Sequence, residues 1–218
     1  MTAESPLRLK ITEIFCSLQG EADTAGIPTT FIRLTGCPLR CQYCDTAYAF
    51  HGGEWQTLSQ VLARVSELGV QHVCVTGGEP LAQKNVLPLM TALCEAGHRV
   101  SIETSGAMSL DGIDPRVVLV VDVKTPASGE VARNRFDELG RLRAQDQVKF
   151  VICDRGDYEW SLGQVAALGL AGRCAVLFSP SHEQLPAKDL ADWIIADRAP
   201  VRLQIQLHKY LWGNVAGR

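Results

Sequence analysis

Apolar residues recur along the chain in two rhythms. Leu9-Lys-Ile-Thr-Glu-Ile-Phe-Cys16 alternates as a strand does, and Phe31 to Leu34 is a second short apolar run. Leu58, Val61, Leu62, Val65 and Leu68 follow Thr57 at helical spacing, with Gly69 placed as a stop. The spacing then predicts strand 72–76, helix 85–96, strand 99–103 and strand 117–121. A helix over 130–142, strand 148–153, helix 157–168, strand 174–178, helix 188–198 and strand 201–207 complete the series. Strands alternating with helices argue for a parallel sheet with right-handed crossovers, although 104–116 is too short for a full crossover helix.

Polar and glycine-rich residues gather where these strands end: Gly77-Gly78, Glu103-Thr104-Ser105, Asp122 with Lys124, Ser179-Pro180-Ser181 and His208-Lys209. In parallel α/β folds that edge binds ligands. At 218 residues the chain is short for an eight-stranded barrel of typically about 250. The expectation is an α/β fold, a partial, open parallel (β/α) barrel, forming one domain over 1–218. Its open side would need closing by the N-terminal strand, the substrate or a second subunit, and the N-terminal strand and loop 9–30 and the C-terminal tail 208–218 are expected to complete the active site.

Composition narrows the setting. The apolar runs are strand-sized, far from the about 20 residues that cross a bilayer, and the first residues carry no secretory pattern, so a soluble cytoplasmic protein without a membrane partner is expected. A net charge of −3 offers no broad basic face for nucleic acid. Eight cysteines in a reducing compartment favour metal or catalytic roles over disulfides.

Three of those cysteines, Cys37, Cys41 and Cys44, fall in one polar loop after the Phe31 run. Three thiolates converging from one loop suit an iron–sulfur centre, which normally takes four. The next cysteine, Cys74, is thirty residues on in an apolar run, which points to a [4Fe–4S] cluster with one iron open to a non-protein ligand. A zinc site would want a second ligand pair, and a ferredoxin run a fourth cysteine before proline. Buried structural cysteines are the remaining alternative, and Cys16, Cys74, Cys94, Cys153 and Cys174 read as core or incidental. Gly77-Gly78 leaves backbone groups open to a ligand's amino group, with an ordinary tight turn as the alternative.

Cys37-x3-Cys41-x2-Cys44 followed by Gly77-Gly78-Glu79-Pro80 resembles the radical S-adenosylmethionine (SAM) superfamily. Leu18-Gln19-Gly20-Glu21, Phe31-Ile32-Arg33, Gly36-Cys37-Pro38, Cys44-Asp45-Thr46, Ile102-Glu103-Thr104-Ser105-Gly106 and Gln206-x-His208-Lys209-Tyr210 are similar to one family within it, the 7-carboxy-7-deazaguanine synthases of queuosine biosynthesis. The resemblance implies a homodimeric lyase with a [4Fe–4S] cluster, SAM and Mg2+, fed electrons by a donor such as flavodoxin or ferredoxin. In that superfamily an electron from the cluster breaks a sulfur–carbon bond of SAM, and the resulting radical removes a substrate hydrogen. The substrate implied is 6-carboxy-5,6,7,8-tetrahydropterin, contracted with loss of ammonia.

Residue by residue, the resemblance assigns Cys37, Cys41 and Cys44 to the cluster and Thr46 to Mg2+. It assigns Tyr43, Cys44, Asp45, Gly78, Asp122, Val123, Lys124 and Ser179, Pro180, Ser181, His182 to SAM. Leu18, Gln19, Gly20, Arg33, Thr76, Glu103 and His208 fall to the pterin. Taken alone, Thr46 reads as a turn or cap residue, Arg33 as a solvated strand residue, Glu103 as a cap and His208 as a surface histidine. Ser179 departs from a glutamine common in the family, and 212–218 extends past its usual end. An activating enzyme for a glycyl-radical protein shares the cysteine loop but usually continues with His-Asn rather than Asp45-Thr46. A non-catalytic electron-transfer module is the third reading, and the absent fourth ligand argues against it.

Overall fold

Along the central parallel strands one face is apolar and packs against the helices, while the other turns to the cavity and mixes polar residues with Phe31, Val120 and Val151; this alternation builds both the core and the cavity. The computed structural model describes residues 6–213 together with Val215 and Gly217. Its strands are β1 (Arg8–Leu18), β2 (Pro28–Leu34), β3 (Glu54–Thr57), β4 (His72–Gly77), β5 (Arg99–Thr104), β6 (Val118–Val123), β7 (Gln147–Ile152), β8 (Ala175–Pro180) and β9 (Arg202–Leu203). Its helices are α1 (Leu58–Leu68), α2 (Val86–Glu95), α3 (Arg155–Ala167), α4 (Ala187–Ala196) and α5 (Leu207–Trp212). Among the described residues the strands form one sheet in the order β3-β1-β2-β4-β5-β6-β7-β8-β9. Neighbours from β2 to β9 pair in parallel, and β1 runs antiparallel to both β2 and β3. The order is linear, with β3 and β9 as its edges, so the architecture is the expected partial, open β/α barrel.

Val73 and Val75, Val100 and Ile102, Leu119 and Val121, Val148, Phe150 and Ile152, then Val176 and Phe178 face the helices in one core. The residues between them face inward. Thr76, Glu103, Val120, Asp122, Lys149, Val151 and Ser179 line the lumen. Side chains alternate with a period of two, so a strand with one apolar and one polar face is fixed in register, because a slip by one residue would exchange core and lumen.

Helix α1 forms as its spacing predicts. Gln60 N donates to Thr57 Oγ1 at 3.2 Å, Thr57 N donates to Gln60 Oε1 at 2.8 Å, and Gly69 ends the helix at φ 67°. Two expectations fail. The helix over 130–142 is replaced by 3₁₀ turns at Pro126–Ser128, Val131–Arg133 and Glu138–Arg141. The Asn134 amide is engaged with both backbone groups of Lys124 at 2.8 Å, and Glu130 accepts from Arg40 N at 2.6 Å; side chains bound to distant backbone compete with a helix here.

The strand over 201–207 is also cut short. Only Arg202–Leu203 pair with β8, because Gln204 and Gln206 turn inward: Gln204 Oε1 accepts from Ala22 N at 2.6 Å, and Gln206 Nε2 donates to Glu21 Oε1 at 2.7 Å. The chain then turns into α5, which the sequence pattern did not indicate. Edge strand β3 was not expected either, being four residues of mixed polarity. Of the expected tail 208–218, residues 214, 216 and 218 lie outside the described residues.

Replacing Thr57 with Ala removes one half of the α1 capping box, and stability should fall by about 1 kcal/mol, read from denaturant unfolding.

Candidate active site

Every candidate residue named from the sequence except Val123 lines one cavity of about 360 Å³ at the C-terminal ends of the parallel strands. Val123 is the correction. It follows Asp122 on an alternating strand, so its side chain is buried in the core, and only its backbone remains available to a ligand.

The cysteine loop is held against the end of β4 by backbone contacts that require glycine. Gly78 N donates to Leu34 O at 3.1 Å and Glu79 N to Gly36 O at 2.8 Å. A Cβ on Gly78 would lie 2.1 Å from Gly36 O, and one on Gly77, at φ 149°, would lie 2.3 Å from Leu34 O. Glu79 is fully buried and accepts from Ser105 N at 2.7 Å, Ser105 Oγ at 2.6 Å and Thr104 Oγ1, tying the ends of β4 and β5 together. It is a structural clamp between two neighbouring strand ends of the cavity wall.

Cys37, Cys41 and Cys44 are unpaired and half-buried, and all three line the cavity. Burial pushes the Cys41 thiol up to about 11 and raises Cys37 and Cys44 as well. Thiols so placed ionise readily only beside a cationic centre. Among the described residues no three His, Cys, Asp or Glu side chains come together as a site for a single metal ion. The donor set is three thiols around a shared cavity, with Leu39 N donating to Cys37 Sγ at 3.4 Å, a hydrogen bond of the kind that tunes an iron–sulfur cluster. These residues fit a cluster with one open iron.

Beside the loop, Thr46 Oγ1 donates to Asp45 Oδ1 at 2.9 Å, which leaves its lone pairs for a cation. Lys209 of α5 pairs with Asp45 Oδ2 at 2.6 Å. Burial opposes ionisation of Asp45, but Lys209 outweighs it and holds the carboxyl below its usual range. Helix α5 is tied on its other side too. Leu207 N donates to Gly20 O at 3.0 Å, and His208 packs so closely that a Cβ on Gly20 would lie 1.9 Å from its Nδ1.

The opposite wall is rich in carboxylates. Glu103 accepts from Thr76 Oγ1 at 3.1 Å and Gln19 Nε2 at 3.3 Å. Burial raises its pKa, and the charge of Glu21 raises it further. Arg33 Nε donates to Glu13 at 2.7 Å, and its guanidinium lies 5.9 Å from the ring centroids of Phe15 and Tyr48. On the SAM-side positions Lys124 pairs with Asp122 at 3.2 Å and lies 6.0 Å from the Tyr43 ring centroid.

Glu21 and Lys149, which pair at 2.5 Å in the lumen, were missed from the sequence. The signal for Lys149 was a lysine inside an otherwise apolar strand. Glu21 stood in the quoted Leu18–Glu21 stretch without a role.

Residues 31–120 match the family model of the Radical SAM superfamily. The chain is 41% identical over 215 residues to the 7-carboxy-7-deazaguanine synthase of Chlorobaculum tepidum, covering 97% of each chain. The chain belongs to the 7-carboxy-7-deazaguanine synthase family. The enzyme of that name from Koribacter versatilis is 42% identical over 219 residues, covering 94% of this chain and 97% of that one. The crystal structure of QueE from Escherichia coli superimposes with a TM-score of 0.73 at 26% identity, covering 92% of this chain and 95% of the other. Membership in this family implies a [4Fe–4S] cluster and SAM as cofactors and a small-molecule substrate, and the three thiols and the cavity fit them. Among the described residues no helix is long and apolar enough to cross a membrane.

His208 provides a titration check. Burial lowers its pKa below the ordinary histidine value, so between its folded and unfolded pKa values the unfolded chain binds more protons. Stability from this group is therefore complete above the unfolded value of about 6.5 and is lost as pH falls toward the folded one. A proton NMR titration should place the His208 midpoint below about 6.5, and His208→Asn should remove that part of the stability change between about pH 8 and pH 5.

Proposed function

We propose that the chain contracts the ring of 6-carboxy-5,6,7,8-tetrahydropterin to 7-carboxy-7-deazaguanine with loss of ammonia, as a carbon–nitrogen lyase serving queuosine and related 7-deazapurines. The observation that carries this reading is the meeting, in one cavity, of a three-thiol loop ending in Asp45-Thr46 with Arg33, Glu103 and His208 from distant parts of the chain. Full-length similarity to synthases of that name supports it.

Cys37, Cys41 and Cys44 hold the cluster. When bound, the cluster and SAM supply a one-electron reductive cleavage that starts hydrogen abstraction from the substrate. Tyr43, Cys44, Asp45, Gly78, Asp122, the backbone of Val123, Lys124 and the Ser179–His182 turn would hold SAM. Gly78 contributes through its bare backbone, which no side chain shields. Ser179 is buried and lines the cavity, so it offers a shorter reach than the glutamine common in the family.

The pterin lies across Leu18-Gln19-Gly20, Arg33, Thr76, Glu103 and His208. Glu103 accepts the N–H donors of the aminopyrimidinone ring, an arrangement that charge-assisted hydrogen bonding strengthens in a buried site. Arg33 offers its guanidinium fork to the substrate carboxylate. Thr46 would offer its hydroxyl to a Mg2+, and because one hydroxyl is a weak site, Mg2+ binding would be coupled to that of the substrate. Helix α5 and loop 19–27 border the cavity through His208, Lys209, Gln19, Gly20 and Glu21.

The whole chain acts as one catalytic domain. Exposed Leu203, Ile205, Tyr210 and Leu211 beside the β9 edge support a homodimer. A flavodoxin or ferredoxin supplies the electron, and the free cysteines among the described residues support a reducing, cytoplasmic setting.

The reading is tested by anaerobic reconstitution with iron and sulfide, then incubation with SAM, reductant, Mg2+ and the carboxytetrahydropterin. Mass spectrometry should find carboxydeazaguanine, and its absence with an intact cluster rejects the assignment. Thr46→Ala should weaken stimulation by Mg2+ while leaving the cluster absorbance unchanged; an unaltered Mg2+ response removes Thr46 from the metal site.

A further inference from the structure

Loop 19–27 is fastened over the lumen by side chains from the far side of the barrel. Asp23 N donates to Gln147 Oε1 at 3.0 Å, Ala22 N to Gln204 Oε1 at 2.6 Å, and Gln204 and Gln206 both donate to the Glu21 carboxylate. At the centre of this set is the Lys149 ammonium, 2.5 Å from Glu21 Oε2 and 3.4 Å from Asp122 Oδ2. Lys149 and Asp122 are register partners on β7 and β6. Glu21 belongs to the loop that reaches the pterin residues, and Asp122 to the strand end assigned to SAM.

We infer that Lys149 is a positioning residue, one buried cation that ties the pterin-side loop to the SAM-side strand and so sets the place of the heterocycle relative to the cofactor. Three carboxylates, Glu21, Glu103 and Asp122, face this part of the lumen, and such groups remain charged in a buried site only when paired. Lys124 serves Asp122 from the other side, whereas Glu21 has Lys149 as its ion-pair partner. Burial opposes the charge on both members of that pair, and their mutual attraction outweighs it. Loss of the ammonium would leave Glu21 buried without a counter-charge, and the loop carrying Gln19 and Gly20 would move away from Glu103. Lys124 would still hold Asp122, so the SAM side would change little.

The inference rests on the proposed pterin chemistry. It is tested on reconstituted holoenzyme with Lys149→Met, Lys149→Arg and Glu21→Gln beside the wild type. Lys149→Met should keep the cluster absorbance and bind SAM within about twofold of wild type, while the pterin dissociation constant rises about tenfold or more. Amide exchange across 19–27 should quicken, and 5′-deoxyadenosine should form in excess of carboxydeazaguanine. Lys149→Arg should recover most of the pterin affinity. Pterin binding at wild-type strength in Lys149→Met overturns the inference, and so does an equal loss of SAM and pterin affinity. If Lys149→Met does not fold, Glu21→Gln should show the same split between the two ligands, and no split overturns the inference. If the wild type makes no carboxydeazaguanine, the proposed function fails on its own account. Amide exchange still judges Lys149 in that event, since unchanged protection across 19–27 in Lys149→Met overturns its role.

Discussion

A strand in a parallel β/α barrel has two faces, and in this chain both are committed. One packs against helices and must be apolar; the other faces a lumen that holds charge. The pleat makes the two demands compatible, because it assigns consecutive residues to opposite sides. Val148, Phe150 and Ile152 join the core while Gln147, Lys149 and Val151 turn inward from the same six-residue strand. The cavity and the core are therefore one object seen from two sides, and the same register that closes the core places the charges of the site.

Much of this was legible in the sequence because it rests on local rules. The cysteine spacing, the strand-end positions of Glu103 and Asp122 and the capping of α1 each follow from a short stretch read by itself. What escaped were features decided by distant partners. The stretch 130–142 has helical composition, but Asn134 and Glu130 are drawn to Lys124 and Arg40. The 201–207 stretch looks like a strand, but Gln204 and Gln206 answer to loop 19–27 across the barrel. Lys149 was visible as a polar residue in an apolar run, yet its partner Glu21 lies 128 residues away in sequence, and no periodicity reports that distance.

The site is completed by the two segments that stand outside the alternating strands and helices. Loop 19–27 and helix α5 touch through the Gly20–His208 contact, and α5 reaches the cysteine loop through Lys209 and Asp45. The C-terminal helix thus joins two N-terminal segments, one on either side of β2, across the open face of the barrel. His208, unremarkable when read alone, acquires its chemical setting from that convergence, whereas Arg33 takes its setting from Glu13, its register partner on β1.

The register pairing of Asp122 with Lys149 has a consequence for how such a site can change. Neighbouring strands lie about 4.8 Å apart, and residues of one face recur about every 6.6 Å along a strand. Lumen groups therefore sit on a lattice, and their separations come in fixed steps. A side chain can be exchanged for a longer or shorter one, but the strand positions that carry cofactor and substrate groups cannot drift gradually past one another. Adaptation to a ligand of different length must come from the loops and the terminal helix, where no lattice applies.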